Sequence, residues 1–206
     1  MIVAGIATIK ERSNEFQATI KSLESQVNLI EPLESKKGCY PGDAGKFYGL
    51  RKLEEGYYFT CDDDLIYPED YVEKMIAKLN EYNNKVVVTC HGRIFRDNPI
   101  QSYYRSTATK LRCLDNVGED QFVQIGGTGV MAFHTSLIRP KLTDFKNGYM
   151  SDIWMAKILR ENNIPTLVMA HKKGWIKYQQ VKDTIYDQYR DNDKVQADTF
   201  NKIFLT

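Results

Sequence analysis

The sequence has no excess of either charge. Its 28 lysine and arginine residues stand against 27 aspartate and glutamate residues, so the formal net charge is only +1. Proteins that bind nucleic acid in general usually carry a basic excess or a basic stripe. The balance therefore argues against nucleic acid as a partner, and any binding of phosphate has to come from a local group of residues.

Cysteine is also scarce, and long apolar runs are missing. The four cysteines are widely spaced and form no CxxC pair, so neither a zinc site nor a disulfide framework is indicated. No stretch approaches the roughly 18 apolar residues of a membrane span, and residues 1–12 show no basic leader before their short apolar run. We therefore expect a soluble, cytoplasmic protein. Peripheral attachment to the inner face of a membrane is compatible with these features.

A regular alternation of strand and helix patterns fills the first half of the chain. A continuous apolar run predicts a strand at residues 2–8, and β-like runs predict further strands at residues 27–30, 57–61 and 85–90. Helical spacing predicts the helices between them, at residues 13–26, through Phe47, Leu50 and Leu53, and after Pro68. This order predicts an α/β fold with a mostly parallel sheet flanked by helices.

The second half follows a less regular pattern. Strands are predicted at residues 122–125, 130–134 and 166–170, and a helix at residues 151–162. Residues 92–120 read as loops with short elements. The polar segment 177–206 is either a closing helix or a mobile tail.

The most informative stretch is CDDDLIYP at residues 61–68, in which three aspartates follow a predicted strand. Ligands of parallel α/β sheets bind beyond the carboxyl ends of the strands, so the triplet lies where a ligand is expected. Adjacent carboxylates repel one another, and a bound Mg²⁺ or Mn²⁺ removes that repulsion. We therefore predict a metal site with its main ligands at Asp62 and Asp64. The alternative is an acidic loop that simply faces water.

Two further positions have both a structural and a catalytic interpretation. Asp152 falls in the first turn of a predicted helix, where an acid complements the helix dipole and also stays ionised, as a general base requires. His171 ends a predicted strand and precedes Lys172 and Lys173. It is either a structural hydrogen-bonding residue or a metal ligand. The residues alone leave both choices open.

Two glycine-rich stretches do not fit nucleotide-binding motifs. GDAGKF at residues 42–47 lacks the first glycine and the Ser or Thr of a P-loop. GTGVMA at residues 127–132 matches a dinucleotide fingerprint only formally, because the residues after it look like a strand and not a helix. The glycines of the second stretch still permit a close approach of the backbone to a ligand.

Three stretches together resemble nucleotide-sugar glycosyltransferases of the GT-A fold, closest to the family 2 type. They are GDAGKFYGLRKLEEGYYFTCDDDLIYPEDYVEKM (42–75), GGTGVMAFHTSLI (126–138) and SDIWMAKILRENNIPTLVM (151–169). The first resembles the aspartate motif of that family with its flanking elements. The second resembles the glycine-rich strand on the acceptor side, and the third the helix with the acidic catalytic residue.

The resemblance implies a Rossmann-like GT-A fold in a single domain, residues 1–206. It divides that domain into a nucleotide-binding half (1–91), an acceptor and catalytic half (92–176) and a C-terminal tail (177–206).

The resemblance also assigns roles to individual residues. Asp62, Asp64 and His171 would hold Mn²⁺ or Mg²⁺ against the donor diphosphate, with Asp63 between the two aspartates near the ribose or sugar. Asp152 would deprotonate the acceptor hydroxyl in an inverting reaction. The other residues expected to contact the donor nucleotide are Thr8, Arg12, Asp43, Lys46 and Lys172.

The implied reaction moves a sugar from a nucleoside-diphosphate sugar, first of all a UDP-sugar, to a saccharide or lipid-linked saccharide in the synthesis of surface polysaccharides or glycoconjugates. The sequence departs from the family pattern in two places. The second strand is followed only by Glu31 and Glu34, where the family usually has an acid that reads uracil. Ser151 and Asp152 also stand where the family often has a Glu-Asp pair.

Two alternative functions use similar features. A sugar-nucleotide nucleotidyltransferase has a similar sheet, but it usually carries a long Gly- and Arg-rich loop after the first strand, and GIATIKERSN has one glycine and one arginine. A nucleotide-sugar binding module without turnover would keep the metal site. Such a module would tolerate the substitution Asp152→Asn.

Overall fold

The computed structural model describes residues 1–182 and 184–205. The strands are β1 (Ile2–Thr8), β2 (Leu29–Glu34), β3 (Tyr57–Asp62), β4 (Leu65–Ile66), β5 (Val87–Thr89), β6 (Gly92–Phe95), β7 (Thr107–Leu111), β8 (Gln121–Val123), β9 (Ile125–Gly126), β10 (Val130–His134), β11 (Thr166–Val168) and β12 (Lys177–Tyr178). The α-helices are α1 (Ser13–Leu23), α2 (Tyr71–Glu81), α3 (Ser151–Glu161), α4 (Ile185–Tyr189) and α5 (Lys194–Phe204). Short 3-10 helices span Lys10–Arg12, Gly42–Lys52 and Leu142–Asp144.

A seven-stranded sheet forms the centre of the fold, in the order β2-β1-β3-β10-β5-β11-β8. The strands β2, β1, β3, β5 and β11 run in one direction, and only β10 and β8 run against them. The prediction of a mostly parallel sheet flanked by helices is therefore confirmed. A second sheet pairs β7, β6 and β9, and β4 pairs with β12.

The strand β10 lies between β3 and β5 and is antiparallel to both. Its first residue, Val130, is paired with Cys61 near the carboxyl end of β3. The loop Gly127–Gly129 before β10 therefore lies at the same edge of the sheet as the aspartates after β3. This antiparallel insertion brings a segment from the second half of the chain to the edge at which the aspartates lie.

Apolar side chains cover both faces of the sheet, which explains why its central strands are continuous apolar runs. On one face, α2 buries Val72, Met75 and Leu79 in a cluster that includes Cys61 and Cys90. On the other face, α3 and the segment Gly42–Lys52 contribute the side chains Phe47, Leu50, Met155 and Leu159.

Two elements of the first half differ from the sequence prediction. The strand β2 runs over Leu29–Glu34, later than the predicted residues 27–30, and includes Pro32. A proline is tolerated here because β2 is an edge strand. The segment Gly42–Lys52 is a 3-10 helix that packs tightly on β2, since a Cβ at Gly49 would lie 2.6 Å from the Cβ of Glu31.

The C-terminal segment closes the second half of the molecule. Helix α5 packs its Phe200 ring against Phe95, with the ring centroids 4.6 Å apart. The Asn201 side chain also exchanges two hydrogen bonds with the backbone of Ile100, at 2.8 and 2.9 Å. Of the predicted tail, Asp183 and Thr206 lie outside the described residues. Across the residues that the structure does describe, no helix combines the length and the apolar character needed to cross a membrane.

Candidate active site

The middle aspartate of the triplet anchors this segment to the protein. Asp63 is buried, and its two carboxylate oxygens accept hydrogen bonds from the Thr8 hydroxyl at 2.8 Å and the Arg12 guanidinium at 2.9 Å. The Thr19 hydroxyl donates to the Asp63 backbone carbonyl at 3.0 Å. Burial raises the pKa of Asp63, and the charge of Arg12 opposes this. Thr8 and Arg12, which we expected to contact the nucleotide, therefore hold Asp63 in this structure.

The two outer aspartates lie at the edge of an open space. Asp62 contacts the ammonium group of the buried Lys46. Burial alone would lower the pKa of Lys46, but Asp62 and Asp43 raise it above its ordinary value, so the ammonium stays charged. Asp64 has only the Arg12 guanidinium at 3.6 Å as an ion-pair partner among the described residues. Burial raises the pKa of Asp64 to about 7, and repulsion from its two neighbouring aspartates adds to this effect.

The glycine-rich loop approaches the triplet closely. The backbone N–H of Asp62 donates to the carbonyl of Gly129 at 3.0 Å, and the Tyr67 hydroxyl donates to the same carbonyl at 2.6 Å. A Cβ at Gly129 would lie 1.8 Å from Oδ2 of Asp62. Only glycine fits at this position, because any side chain would displace the Asp62 carboxylate.

A hydrogen-bonded chain links Asp152, at the start of α3, to Asp43. Oδ1 of Asp152 accepts hydrogen bonds from the Thr128 N–H and the Thr128 hydroxyl, both at 2.7 Å. The Thr128 hydroxyl lies 2.7 Å from the Ser151 hydroxyl, which in turn contacts Oδ2 of Asp43. Burial raises the pKa of both Asp43 and Asp152, and Lys46 opposes the rise at each. The two carboxylates thus sit at the two ends of one buried chain of hydroxyl groups.

Two neighbouring cavities meet at this cluster. The smaller, of about 260 Å³, extends from the cluster towards the ends of β1 and β2, and the larger, of about 590 Å³, extends towards β6, β7 and α3. Asp43, Lys46, Asp62 and Asp64 line both cavities. Asp152 lines only the larger one. The geometry therefore provides two adjoining compartments with the carboxylates at their junction.

Comparison with known proteins finds a family to which part of this chain is similar. Residues 44–144, just under half of the chain, match the family described as "Glycosyl transferase family 2". The resemblance to family 2 glycosyltransferases is confirmed. The matched segment includes the aspartate triplet and Gly129, and it ends before Asp152. The family match supports glycosyl transfer as the activity of this chain.

Solved structures support the fold. A structure described as "Crystal Structure of A197 from STIV" is similar to this chain with a TM-score of 0.51 and 12% sequence identity, over 88% of this chain and 86% of that chain. At this identity the likeness shows the fold alone, which is an α/β fold of the GT-A type. No curated protein matches the sequence at a significant level.

Two residues that we expected at the site, His171 as a metal ligand and Lys172 as a contact of the donor nucleotide, lie apart from the aspartates. Both ring nitrogens of His171 face backbone carbonyls, of Met169 at 2.7 Å and of Arg112 at 3.2 Å. Lys172 is exposed, and neither residue lines the two cavities. Within residues 1–182 and 184–205, no three His, Cys, Asp or Glu side chains form a group that could hold a metal. The structure therefore does not bring His171 to Asp62 and Asp64.

The structure adds residues that the sequence analysis did not assign. Thr128 and Ser151 connect Asp43 and Asp152. The position of Thr128 follows from the antiparallel insertion of β10, which one sequence does not reveal. The hairpin of β6 and β7 brings Arg93, Lys110 and Arg112 to the larger cavity. The signal for β7 in TATKLR (107–112) was weak: its two threonines are typical of strands, but its polar and apolar residues do not alternate regularly.

Proposed function

We propose that this protein transfers a sugar from a nucleoside-diphosphate sugar to an acceptor hydroxyl, with a divalent cation and with inversion at the transferred carbon. The observation that carries the proposal is the placement of Asp62, Asp64 and Asp152 around one cavity. The family match supports glycosyl transfer in general. The donor, the metal dependence and the stereochemistry are inferred from the chemistry of these residues.

The smaller cavity suits the nucleoside of the donor. It is lined by Thr8 and Arg12 at the end of β1, and by Asp43 and Lys46 from the 3-10 helix. Oδ1 of Asp43 is buried and has no hydrogen-bond partner among the described residues. A buried acceptor without a partner is costly, so a donor group of the ligand is expected there. An imide N–H of uracil or a ribose hydroxyl would satisfy it, which makes a UDP-sugar the first donor to test.

Asp62 and Asp64 fit a divalent cation. Mg²⁺ and Mn²⁺ in nucleotide sites are typically held by one or two carboxylates, with substrate phosphates and water completing the shell. The two aspartates supply such a pair, while Arg12 and Thr8 occupy Asp63. When bound, the cation acts as a Lewis acid that stabilises the negative charge of the departing nucleoside diphosphate. Lys46 adds a second positive charge next to Asp62.

Asp152 is placed to act as the general base. Thr128 holds its Oδ1 with two hydrogen bonds, while Oδ2 has no hydrogen-bond partner among the described residues. This oxygen accepts the proton of the acceptor hydroxyl. The hydroxyl oxygen forms the new bond to the anomeric carbon, and the bond from that carbon to the diphosphate breaks with its electron pair on the leaving group. Attack on the side opposite the leaving group inverts the anomeric centre.

The chain between Asp152 and Asp43 positions the base. Three contacts connect Asp152, Thr128, Ser151 and Asp43. Thr128 and Ser151 are buried, so the chain holds Asp152 in one orientation at the cavity. Burial raises the pKa of Asp152, and the charge of Lys46 opposes this rise and so favours the ionised base.

The variant Asp152→Asn tests the proposal. It keeps the shape of the side chain and removes its ability to accept a proton. We expect unchanged affinity for the donor nucleotide and transfer that is about 10²–10⁴-fold slower. The exposed Asp97 provides a matched control, and Asp97→Asn should transfer at the normal rate. Normal transfer by Asp152→Asn would reject the base assignment, and a binding module without turnover would show no transfer in either form.

The acceptor is a saccharide or a lipid-linked saccharide in this proposal, within the synthesis of surface polysaccharides or glycoconjugates. The larger cavity is where its hydroxyl would reach Asp152. Its size and its aromatic side chains, Tyr103, Tyr104 and Tyr186, suit a sugar ring. Because such acceptors are made at membranes, peripheral contact with the cytoplasmic face of a membrane is part of the proposal.

A further inference from the structure

Two cations face each other directly across the hairpin of β6 and β7. Arg93 on β6 is the Cα partner of Lys110 on β7 in their antiparallel pairing. Side chains directly opposite one another in an antiparallel pair are in contact range, and like charges there are destabilising. Arg112 follows Lys110 by two residues, so it extends from the same face of the hairpin. We call these three residues the basic hairpin face.

The charges of this face are poorly compensated within the protein. Arg93 is only 6% exposed, and neither Arg93 nor Lys110 forms an ion pair with any described residue. Arg112 has Asp115 at 4.0 Å. A buried charge without a counterion is destabilising unless a ligand or partner compensates it. The hairpin therefore places the buried Arg93 directly opposite the half-buried Lys110, with the exposed Arg112 beside them, where an apolar or neutral strand pair would be more stable.

Aromatic rings take the place of counterions around this face. The Arg93 guanidinium lies 5.1 Å from the Tyr103 ring centroid and 5.2 Å from that of Tyr104, and the Lys110 ammonium lies 5.6 Å from the Tyr186 ring. Cation–π contacts of this kind orient a cation without neutralising it. Burial lowers the pKa of Lys110 to about 8, and repulsion from Arg93 and Arg112 adds to this effect. The lowered pKa of Lys110 is what is expected of an ammonium group that has no counterion.

The basic hairpin face lines the same cavity as the base. Arg93, Lys110 and Arg112 all border the larger cavity, together with Asp152 and the metal-site aspartates. This cavity therefore has carboxylates on the side of the donor and cations on the side away from it. A neutral saccharide needs hydrogen-bonding groups and ring contacts, and it does not explain three clustered cations.

We propose that the acceptor carries a phosphoryl group, which binds to Arg93, Lys110 and Arg112 while the acceptor hydroxyl faces Asp152. This inference rests on the proposed function and names its acceptor class. A phosphoryl group has a charge of up to −2 and several acceptor oxygens, which match three clustered cations of which two are guanidinium forks. The phosphate of a lipid-linked acceptor and that of a free phosphosaccharide share this chemistry.

Binding of phosphate-bearing probes by calorimetry tests the proposal. The probes are glucose 6-phosphate and farnesyl phosphate, with glucose and farnesol as their neutral counterparts. The titrations are made at pH 7 with and without saturating UDP and Mn²⁺, so that the donor compartment is occupied in one arm. We expect at least one phosphate probe to bind more tightly than its neutral counterpart. Farnesyl phosphate alone would indicate a lipid-linked acceptor, and glucose 6-phosphate a phosphosaccharide.

Lys110→Gln is the decisive variant, because Lys110 is half-buried on the hairpin and its removal relieves the repulsion with Arg93. We expect phosphate-probe affinity to fall about 10-fold or more, with an unchanged or higher Tm and unchanged UDP affinity. Arg96→Gln removes one exposed positive charge near the end of the same hairpin and should leave all three quantities unchanged.

Several outcomes separate this inference from the proposed function. Equal phosphate-probe affinity of wild type and Lys110→Gln would overturn the inference, as would phosphate probes that bind no better than glucose and farnesol. A third outcome is that the wild type binds the phosphate probes but no nucleoside diphosphate, and that Lys110→Gln no longer binds the probes. The phosphate site then stands and the glycosyltransferase proposal falls.

Discussion

Replacing Asp64 by asparagine should stabilise the metal-free protein at alkaline pH. The Asp64 side chain is only 15% exposed and lies beside two other carboxylates, and its ion-pair partner, Arg12, is 3.6 Å away. Burial and this repulsion raise the pKa of Asp64 from its usual 3.8 to about 7. A raised pKa means that the folded protein resists ionisation of this group, so stability is lost as the pH rises from about 4 to about 7.

The size of the effect follows from the pKa. One pKa unit corresponds to about 1.4 kcal/mol, so ionised Asp64 destabilises the fold by about 4 kcal/mol at pH 8 and by about 2 kcal/mol at pH 5. Asparagine removes this cost but leaves a buried amide without good partners, which costs about 2 kcal/mol. The net gain for Asp64→Asn is therefore about 2 kcal/mol at pH 8 and close to zero at pH 5. For a domain of this size the gain at pH 8 corresponds to about 4–8 °C in Tm.

Thermal unfolding in the presence of a chelator measures this directly. Wild type, Asp64→Asn and the control Asp97→Asn are compared at pH 5 and at pH 8, and then at pH 8 with Mn²⁺ and UDP. The ligands should stabilise wild type and the control but not Asp64→Asn. A lower Tm for metal-free Asp64→Asn at pH 8, or the same difference from wild type at both pH values, would refute the electrostatic reasoning.

Three further predictions concern the neighbours of the aspartates. Gly129→Ala should abolish metal-dependent nucleotide binding in a calorimetric assay, because its Cβ would lie 1.8 Å from Oδ2 of Asp62. Gly118→Ala is the control and should bind the nucleotide normally, since a Cβ at Gly118 meets nothing within 4 Å. Thr128→Val should lower kcat with little change in the KM for the donor, since Asp152 loses a hydrogen bond of 2.7 Å. Thr128→Ser keeps the hydroxyl and should transfer at close to the normal rate. Equal rates for the two variants would contradict a positioning role of Thr128. The acid limb of the kcat profile should have a midpoint above the ordinary aspartate value, because burial raises the pKa of Asp152, and a midpoint at or below 3.8 would argue against this base.

The parallel part of the fold could be predicted from the sequence because each of its elements carries a local signal. The strand β1 is a continuous apolar run, and the helix α3 begins and ends within one residue of its predicted bounds. The antiparallel insertion of β10 could not be predicted, because its local pattern is that of any strand and its neighbours are set by contacts across the chain. The 3-10 geometry of Gly42–Lys52 likewise results from close packing on β2, which no local pattern records.

The convergence of three candidate site residues could be predicted from the sequence, because it depends on where strands end. Asp62, Asp64 and Asp152 meet at one cavity because the strands and the loop before β10 end at the same edge. Their roles as metal ligands and base stay predictions, as does the division of the chain into two halves and a tail. We expected His171 to be a metal ligand only because it follows a strand. Its ring nitrogens instead lie at hydrogen-bond distance from two backbone carbonyls. The basic hairpin face could not be predicted, because Arg93 and Lys110 are 17 residues apart in the sequence and become neighbours only through the pairing of β6 with β7.

Calorimetric titration of nucleoside diphosphates, with and without Mn²⁺, is the sharpest test of the metal site. We predict that one of them, UDP first, binds to the wild-type protein only with the cation, and that Asp64→Asn loses this binding while Asp97→Asn keeps it. Nucleotide binding that is equally tight without the cation, or unchanged in Asp64→Asn, would contradict the assignment of Asp62 and Asp64 as the metal site of a glycosyltransferase.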